Sequence, residues 1–245
     1  MTSDEAAERL RALGFEPEAV DVLVAHFADS ERRGKLGHGF SRVAWLETLE
    51  LDPTARPARV LAEEGFERWS GECALGYLVL DEVVRSTLAN PPEHARVVVA
   101  ERCFPTGALG YWVRRLAVGG LVAALTATSP RRLPHLDGGP ALTGTNPLAI
   151  AIPSSDGHPI VSDVSMGAVT HGDVLAGTAR PEELVPFGGE HAHKAFALAV
   201  GLELFVSALA GPEHGAVFLV ARPEHDPVPA LRRLADGRRL PGDSE

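Results

Sequence analysis

At 245 residues, 45% of them hydrophobic, the chain can bury a substantial core without disulfide or metal staples. A formal net charge of −10 and a pI near 5.5 argue against nucleic acid or an anionic membrane as the main partner. Two cysteines make no disulfide framework, the acidic N-terminus has no apolar signal core and no apolar run reaches membrane-spanning length, so a reducing cytoplasm is the expected setting.

In chain order, a helix is expected from Asp4 to a stop at Gly14, then a second from Pro17 to Ser30 with Val20, Leu23 and Phe27 on its apolar stripe. Residues 33–42, RGKLGHGFSR, follow. Residues 52–72 read as a Pro-containing connector with a short edge segment. Leu78–Leu88 reads as a helix, Arg96–Ala100 as a buried strand, Gly110–Gly119 as a helix with Tyr111 and Trp112 inward, and Leu121–Leu125 as a strand. Residues 131–143 read as a loop that carries Arg131 and Arg132. Gly144-Thr145-Asn146-Pro147 is turn punctuation, with Pro147 biasing Asn146 toward extended geometry. Leu148–Ile152 is a continuous apolar run, expected for a strand covered on both faces. Asp156-Gly157 then turns the chain into a second strand, His158–Val164. Leu198–Leu209 reads as a buried helix containing Glu203, and Gly215–Ala221 as the last strand.

Some residues in this pattern carry chemistry. Gly37 and Gly39 bracket His38, which would let the backbone approach a ligand and expose the imidazole. Arg42 lies four residues on. A histidine and an arginine in one pocket suit a carboxylated substrate, the arginine clamping it and the histidine handling a proton. Asp163 sits inside an apolar run and must be paired, hydrogen-bonded or protonated. Only two of the 23 basic residues are lysines, Lys35 and Lys194, which hints that arginine does not serve there. Cys103 reads as an ordinary buried thiol. His171, His191 and His193 have no acidic or cysteine partner at ligand spacing, so no metal site is assigned.

Three stretches carry a family resemblance. GTNPLAIAIP with PIVSDVSM resembles the GTNPxAxAxP and LDMATS signature of the malate/L-lactate dehydrogenase family, which includes sulfolactate dehydrogenases and piperideine-2-carboxylate reductases. RGKLGHGFSR is similar to its RGxDSHGxxR, and HAHKAFALAV to its GGHKGYGLAL. The resemblance implies an α/β (α+β) non-Rossmann NAD(P)-binding fold with a mostly antiparallel central sheet flanked by helices. It further implies an N-terminal helical substrate-side segment (1–68), a cofactor and substrate domain (69–221) and a tail (222–245) packing back on the N-terminal part.

The implied activity is NAD(P)H-dependent reduction of a 2-imino or 2-oxo carboxylic acid in a specialised biosynthetic pathway, by a homodimer. His38 would donate the proton, oriented by Asp163. Arg42, Lys35 and Tyr111 would bind substrate; Thr128, Gly144, Thr145, Asn146, His193 and Lys194 would bind NADH or NADPH. This chain departs from the pattern where relatives read VRNSxHFGxxGYY. Here AERCFPTGALGYW puts Pro105 at the histidine, and proline exchanges no protons. An imine, easily protonated, tolerates that loss better than a ketone. The alternative is a diverged scaffold without redox chemistry, performing proton transfer or elimination on a carboxylated substrate or only binding a ligand or partner.

Overall fold

The computed structural model describes residues 1–243. Helix α1 (Ser3–Ala12) opens on a capping box: Glu5 N donates to Thr2 Oγ1 at 3.2 Å, and Thr2 N donates to the Glu5 carboxylate at 2.8 Å. Helix α2 (Pro17–Arg32) begins on a proline whose missing N–H costs nothing there, and its Val20, Leu23 and Phe27 are fully buried. A 3-10 turn over Leu36–His38 leads to the short α3 (Ser41–Leu46).

The centre of the molecule is a seven-stranded sheet built from β1 (Ala58–Glu63), β2 (Phe66–Ser70), β3 (Ala95–Glu101), β4 (Val122–Ala127), β7 (Leu148–Ile152), β8 (Ile160–Val164) and β9 (Ala216–Ala221). Its order is β1-β2-β3-β9-β4-β7-β8; β2 and β3 run parallel and the other neighbours antiparallel. The fold is therefore mixed α/β with a mostly antiparallel sheet flanked by helices, as expected. Helices α4 (Gly76–Ala89) and α5 (Leu109–Val118) cover one face with α1 and α2 beyond them. Trp112, Val113 and Leu116 of α5 are fully buried there with Ala123, Leu125, Ala149 and Ala151 of the sheet. Burial of each large apolar side chain is worth about 1.5–3 kcal/mol in transfer terms. The other face carries α7 (Ala192–Ala210), whose Val206 packs on Val99 and Val217 of the sheet. Strands β5 (Leu133–His135) and β6 (Gly138–Thr143), helix α6 (His171–Leu175) and helix α8 (Val228–Ala235) complete the chain.

Several expectations need correction. Residues 52–72 hold two strands, and β2 is an interior strand hydrogen-bonded to β1 and β3. The expected boundary after residue 68 falls inside it. The loop at 131–143 is the β5–β6 hairpin. Strand β7 is not covered on both faces, since Ile150 is 38% exposed. Helix α7 is not buried either: Ala195, Ala199, Val206 and Ala210 face inward, while Leu198, Leu204 and Phe205 are exposed. Contrary to expectation, one stretch, Gly189–Ala210, is long and apolar enough by length and composition to cross a membrane, at mean hydropathy 1.5; here it lies along the sheet. The tail docks on β8, where Val161 N donates to Pro241 O at 3.0 Å, and with the end of α2 it lines a cavity.

Candidate functional site

Glycines position the N-terminal part of the site, though not by letting a ligand near the backbone. The turn at Gly37 packs face to face with Gly172 of α6. A Cβ on Gly172 would run into Gly37 O and the Arg42 guanidinium, and one on Gly37 into Asp173 and Gly172. Thr170 and Asp173 cap α6 through a box in which Asp173 accepts from Thr170 N and Oγ1, both at 2.8 Å. Arg42 is 8% exposed; its Nε donates to Gly37 O at 2.7 Å and its guanidinium lies 4.9 Å from the Trp45 ring centre. The imidazole of His38 is partly buried rather than exposed, and its Nδ1 has no hydrogen-bond partner. Burial, then Arg42 and Lys35, push its pKa down to about 3, so it is neutral at physiological pH.

The loop after β3 forms the facing wall. Ala108 N donates to Nε2 of the fully buried His26 at 3.1 Å, and Trp112 Nε1 donates to Thr106 O at 2.8 Å. Gly107, at φ +68°, takes a conformation other residues resist, and a Cβ there would strike His26 and Tyr77. Cys103 is buried in this loop and burial pushes its thiol pKa up, away from nucleophilic use.

These walls enclose a cavity of about 350 Å³. Lys35, His38, Arg42, Arg132, His171 and Asp173 are its charged and imidazole lining, Trp45, Tyr77, Phe104 and Pro105 its apolar lining, and Ser129, Thr145 and Ser165 bring hydroxyls; Thr128 also lines it, but its Oγ1 accepts from Gly215 N at 3.0 Å and donates to Gly215 O at 3.4 Å. Asp163 also lines it, but its partner is Lys35, in a short ion pair, not His38. The expected His38–Asp163 relay is thus not made: a lysine claims the carboxylate first.

Other expected site residues sit elsewhere. Tyr111 packs edge-on against His26 at 4.9 Å and lines a different cavity. Gly144 and Asn146 belong to a buried knot under α7. Asn146 Nδ2 donates to Glu203 Oε2 at 2.7 Å and to Ala199 O at 3.1 Å, its Oδ1 accepts from Ser129 N at 3.2 Å, and Gly144 N donates to Glu203 Oε2 at 3.3 Å. These bonds hold Asn146 at φ +27°, not in the extended geometry expected. The Asn146 amide is thereby used within the fold, on one oxygen of Glu203 and on backbone. His193 and Lys194 are exposed at the start of α7, outside the cavity. Trp45, Tyr77, Ser165 and Asp173 were not anticipated. Only Asp173 had a readable signal, the Thr-x-x-Asp box.

Comparison with known proteins agrees with this architecture. The family model described as malate/L-lactate dehydrogenase matches residues 2–184. The Δ1-pyrroline-2-carboxylate/Δ1-piperideine-2-carboxylate reductase of Pseudomonas syringae pv. tomato is 30% identical over 230 residues, covering 81% of this chain and 66% of that protein. A 2,3-diketo-L-gulonate reductase of Citrobacter koseri is 27% identical over 191 residues, 74% of this chain and 55% of that one. The chain thus spans a little over half to two thirds of the length of these relatives. Among solved structures, Δ1-piperideine-2-carboxylate reductase from P. syringae superposes with TM-score 0.84 at 25% identity, over 98% of this chain and 89% of that one. Malate dehydrogenase from Pyrococcus horikoshii shares the fold at TM-score 0.81 and 19% identity, over 99% and 82% of the two chains. The chain belongs to the malate/L-lactate dehydrogenase family.

Proposed function

We propose that this protein is an NAD(P)H-dependent reductase of a small 2-imino carboxylic acid, with 2-oxo acids as poorer substrates. One observation carries the reading: Arg42, Lys35 and a neutral His38, close enough to act on one another, line one cavity together with four large apolar side chains. Arg42 and Lys35 would hold the carboxylate, and Trp45, Tyr77, Phe104 and Pro105 would cover the carbon skeleton. A neutral imidazole is a weak acid. It can orient a substrate nitrogen that already carries its proton, but it protonates a ketone oxygen poorly. That favours an imine, as does the absence of a proton-exchanging side chain at Pro105.

The hydroxyls of Ser129, Thr145 and Ser165 form a donor set that fits the nicotinamide of a cofactor. Bound there, NAD(P)H would supply the hydride. His193 and Lys194 lie outside this cavity and are not part of the proposed set. We also propose a cytoplasmic homodimer. Its free thiols, Cys73 and Cys103, suit a reducing compartment, and the apolar face of α7 at Leu198, Leu204 and Phe205 offers a surface for a second copy.

The unpaired His38 Nδ1 and the proline-lined wall favour a second reading, a non-redox reaction on a carboxylated substrate in the same cavity. Titration with NADH and NADPH, followed by thermal shift and nucleotide fluorescence, separates the two. A native-state ligand at a hundredfold excess over Kd stabilises by about 2.7 kcal/mol. Saturable binding of either nucleotide, followed by turnover of cyclic imines that Arg42→Gln impairs, supports the reductase. No binding at millimolar concentration rejects it.

A further inference from the structure

Behind the Lys35–Asp163 pair lies a second cavity, also about 350 Å³. Lys35, Ala108 and Asp163 line both cavities, so the ion pair forms part of the wall between them. In a chain of net charge −10 this second cavity is locally basic: five arginine and lysine side chains line it against three carboxylates. Each carboxylate is already engaged. Asp29 accepts from Arg32 and Arg33, both at 2.9 Å, Asp163 is held by Lys35, and Asp243 accepts from Arg232 at 3.0 Å.

Arg114 is left over. Among the described residues it makes no ion pair; its Nη1 donates to Gly242 O at 3.2 Å, while its Nε is buried with no acceptor. Ser30, 1% exposed on the same cavity, has a hydroxyl with no partner at all. Burial and then the neighbouring Arg33 lower the Arg114 pKa, outweighing Asp29 and Asp163, which act on it without forming an ion pair. Buried donors without acceptors are rare and point to an occupant.

We propose that this cavity is an oxyanion site for a phosphate group, held by Arg114, Arg33 and the Ser30 hydroxyl. A tetrahedral phosphate presents acceptors in several directions, which suits two guanidinium forks and a hydroxyl converging from different elements; a planar carboxylate would satisfy one fork only. The phosphate can come from a free phosphorylated ligand or from a nucleotide that reaches past the Lys35–Asp163 wall.

The test titrates the full chain with inorganic phosphate at constant ionic strength, by calorimetry and thermal shift, in wild type, Arg114→Gln, Ser30→Ala and Arg42→Gln. Saturable binding is expected, weakened about tenfold or more by Arg114→Gln, several-fold by Ser30→Ala, and retained in Arg42→Gln, whose guanidinium belongs to the other cavity. If Arg114→Gln does not fold, Ser30→Ala and Arg33→Gln carry the same comparison. Binding no different from that of chloride, or binding lost in Arg42→Gln and untouched by Ser30→Ala, overturns the proposal. Repeating the titration with NADPH and with nicotinamide riboside separates the sources. Competition by NADPH alone assigns the nucleotide's phosphate, and phosphate binding undisturbed by either assigns a free ligand. Absence of any NAD(P)H binding removes the reductase reading and leaves this site standing.

Discussion

Replacing Asn146 by alanine tests the knot that holds the 144–147 turn, and with it Thr145 and Pro147 of the cavity wall. The side chain is fully buried and makes three hydrogen bonds, one of them to the Glu203 carboxylate at 2.7 Å. Two neutral bonds at about 1 kcal/mol each and one charged bond at about 2 kcal/mol give roughly 4 kcal/mol. Alanine at φ +27° adds about 1 kcal/mol of backbone strain. Against a total stability of about 5–15 kcal/mol this is a large loss, and at about 2–4 °C per kcal/mol it lowers Tm by about 10 °C or more. Urea unfolding followed by circular dichroism measures it, with an unchanged slope marking a native-state effect. Glu203→Gln supplies the comparison. Its amide oxygen still accepts from Asn146 and Gly144, so it should cost only about 1 kcal/mol. A loss below about 1 kcal/mol for Asn146→Ala, or equal losses for both variants, would refute the knot as the tie between turn and helix.

Three further outcomes are expected. Gly172→Ala drives a methyl group into Gly37 O and the Arg42 guanidinium; it should cost about 1–3 kcal/mol of stability and raise KM for a carboxylated substrate more than it lowers kcat, read from steady-state kinetics. In a double-mutant cycle, Lys35→Met and Asp163→Asn should couple by about 1 kcal/mol, discounted for the partial exposure of the lysine, and a coupling near zero would remove the pair as a structural wall. Acid should destabilise the protein early. The folded-state pKa of the buried His26 is lowered to about 3, below the unfolded value of about 6.5, so its contribution is intact above pH 6.5 and is lost as pH falls toward 3. The loss approaches ~1.4 kcal/mol per pH unit for that group, and His38 adds in the same direction. A urea midpoint that stays flat from pH 7 to 4 would contradict both burials.

The sheet and the helices above it were legible because their signals are local. Apolar runs bounded by glycine and proline gave β3, β4, β7 and β9, and the α5 helix followed from its period. The gathering of Lys35, His38 and Arg42 was legible because one turn carries all three. What was not legible depends on partners far apart in the chain. Asp163 had to be paired, but nothing near residue 163 says that its partner is Lys35, 128 positions away, and not His38. Asn146 was misread for a similar reason: the local bias from Pro147 loses to three tertiary hydrogen bonds made to Ser129, Ala199 and Glu203. Of the two lysines singled out by scarcity, one forms the wall of the site and the other faces water, so scarcity alone did not discriminate.

The misreading of α7 is more informative than an error of boundary. Residues 192–210 are apolar nearly all round, and such a helix is ordinarily enclosed on every side. Among the described residues β3, β4, β6 and β9 cover one stripe of it, while Leu204 is 64% exposed, Leu198 50% and Phe205 47%. The sheet repeats the pattern, with Leu219 of β9 51% exposed and Ile150 of β7 38% exposed although both belong to continuous apolar runs. The periodicity therefore described a burial that one chain does not complete. Two copies pressed over this surface would bury it and remove the disagreement, which is the physical content of the proposed dimer. Leu204→Glu together with Phe205→Glu should then yield a folded monomer at concentrations where the unmodified chain sediments as a dimer. A wild-type chain that sediments as a monomer at tens of micromolar would leave the exposed face, and the reading built on it, without support.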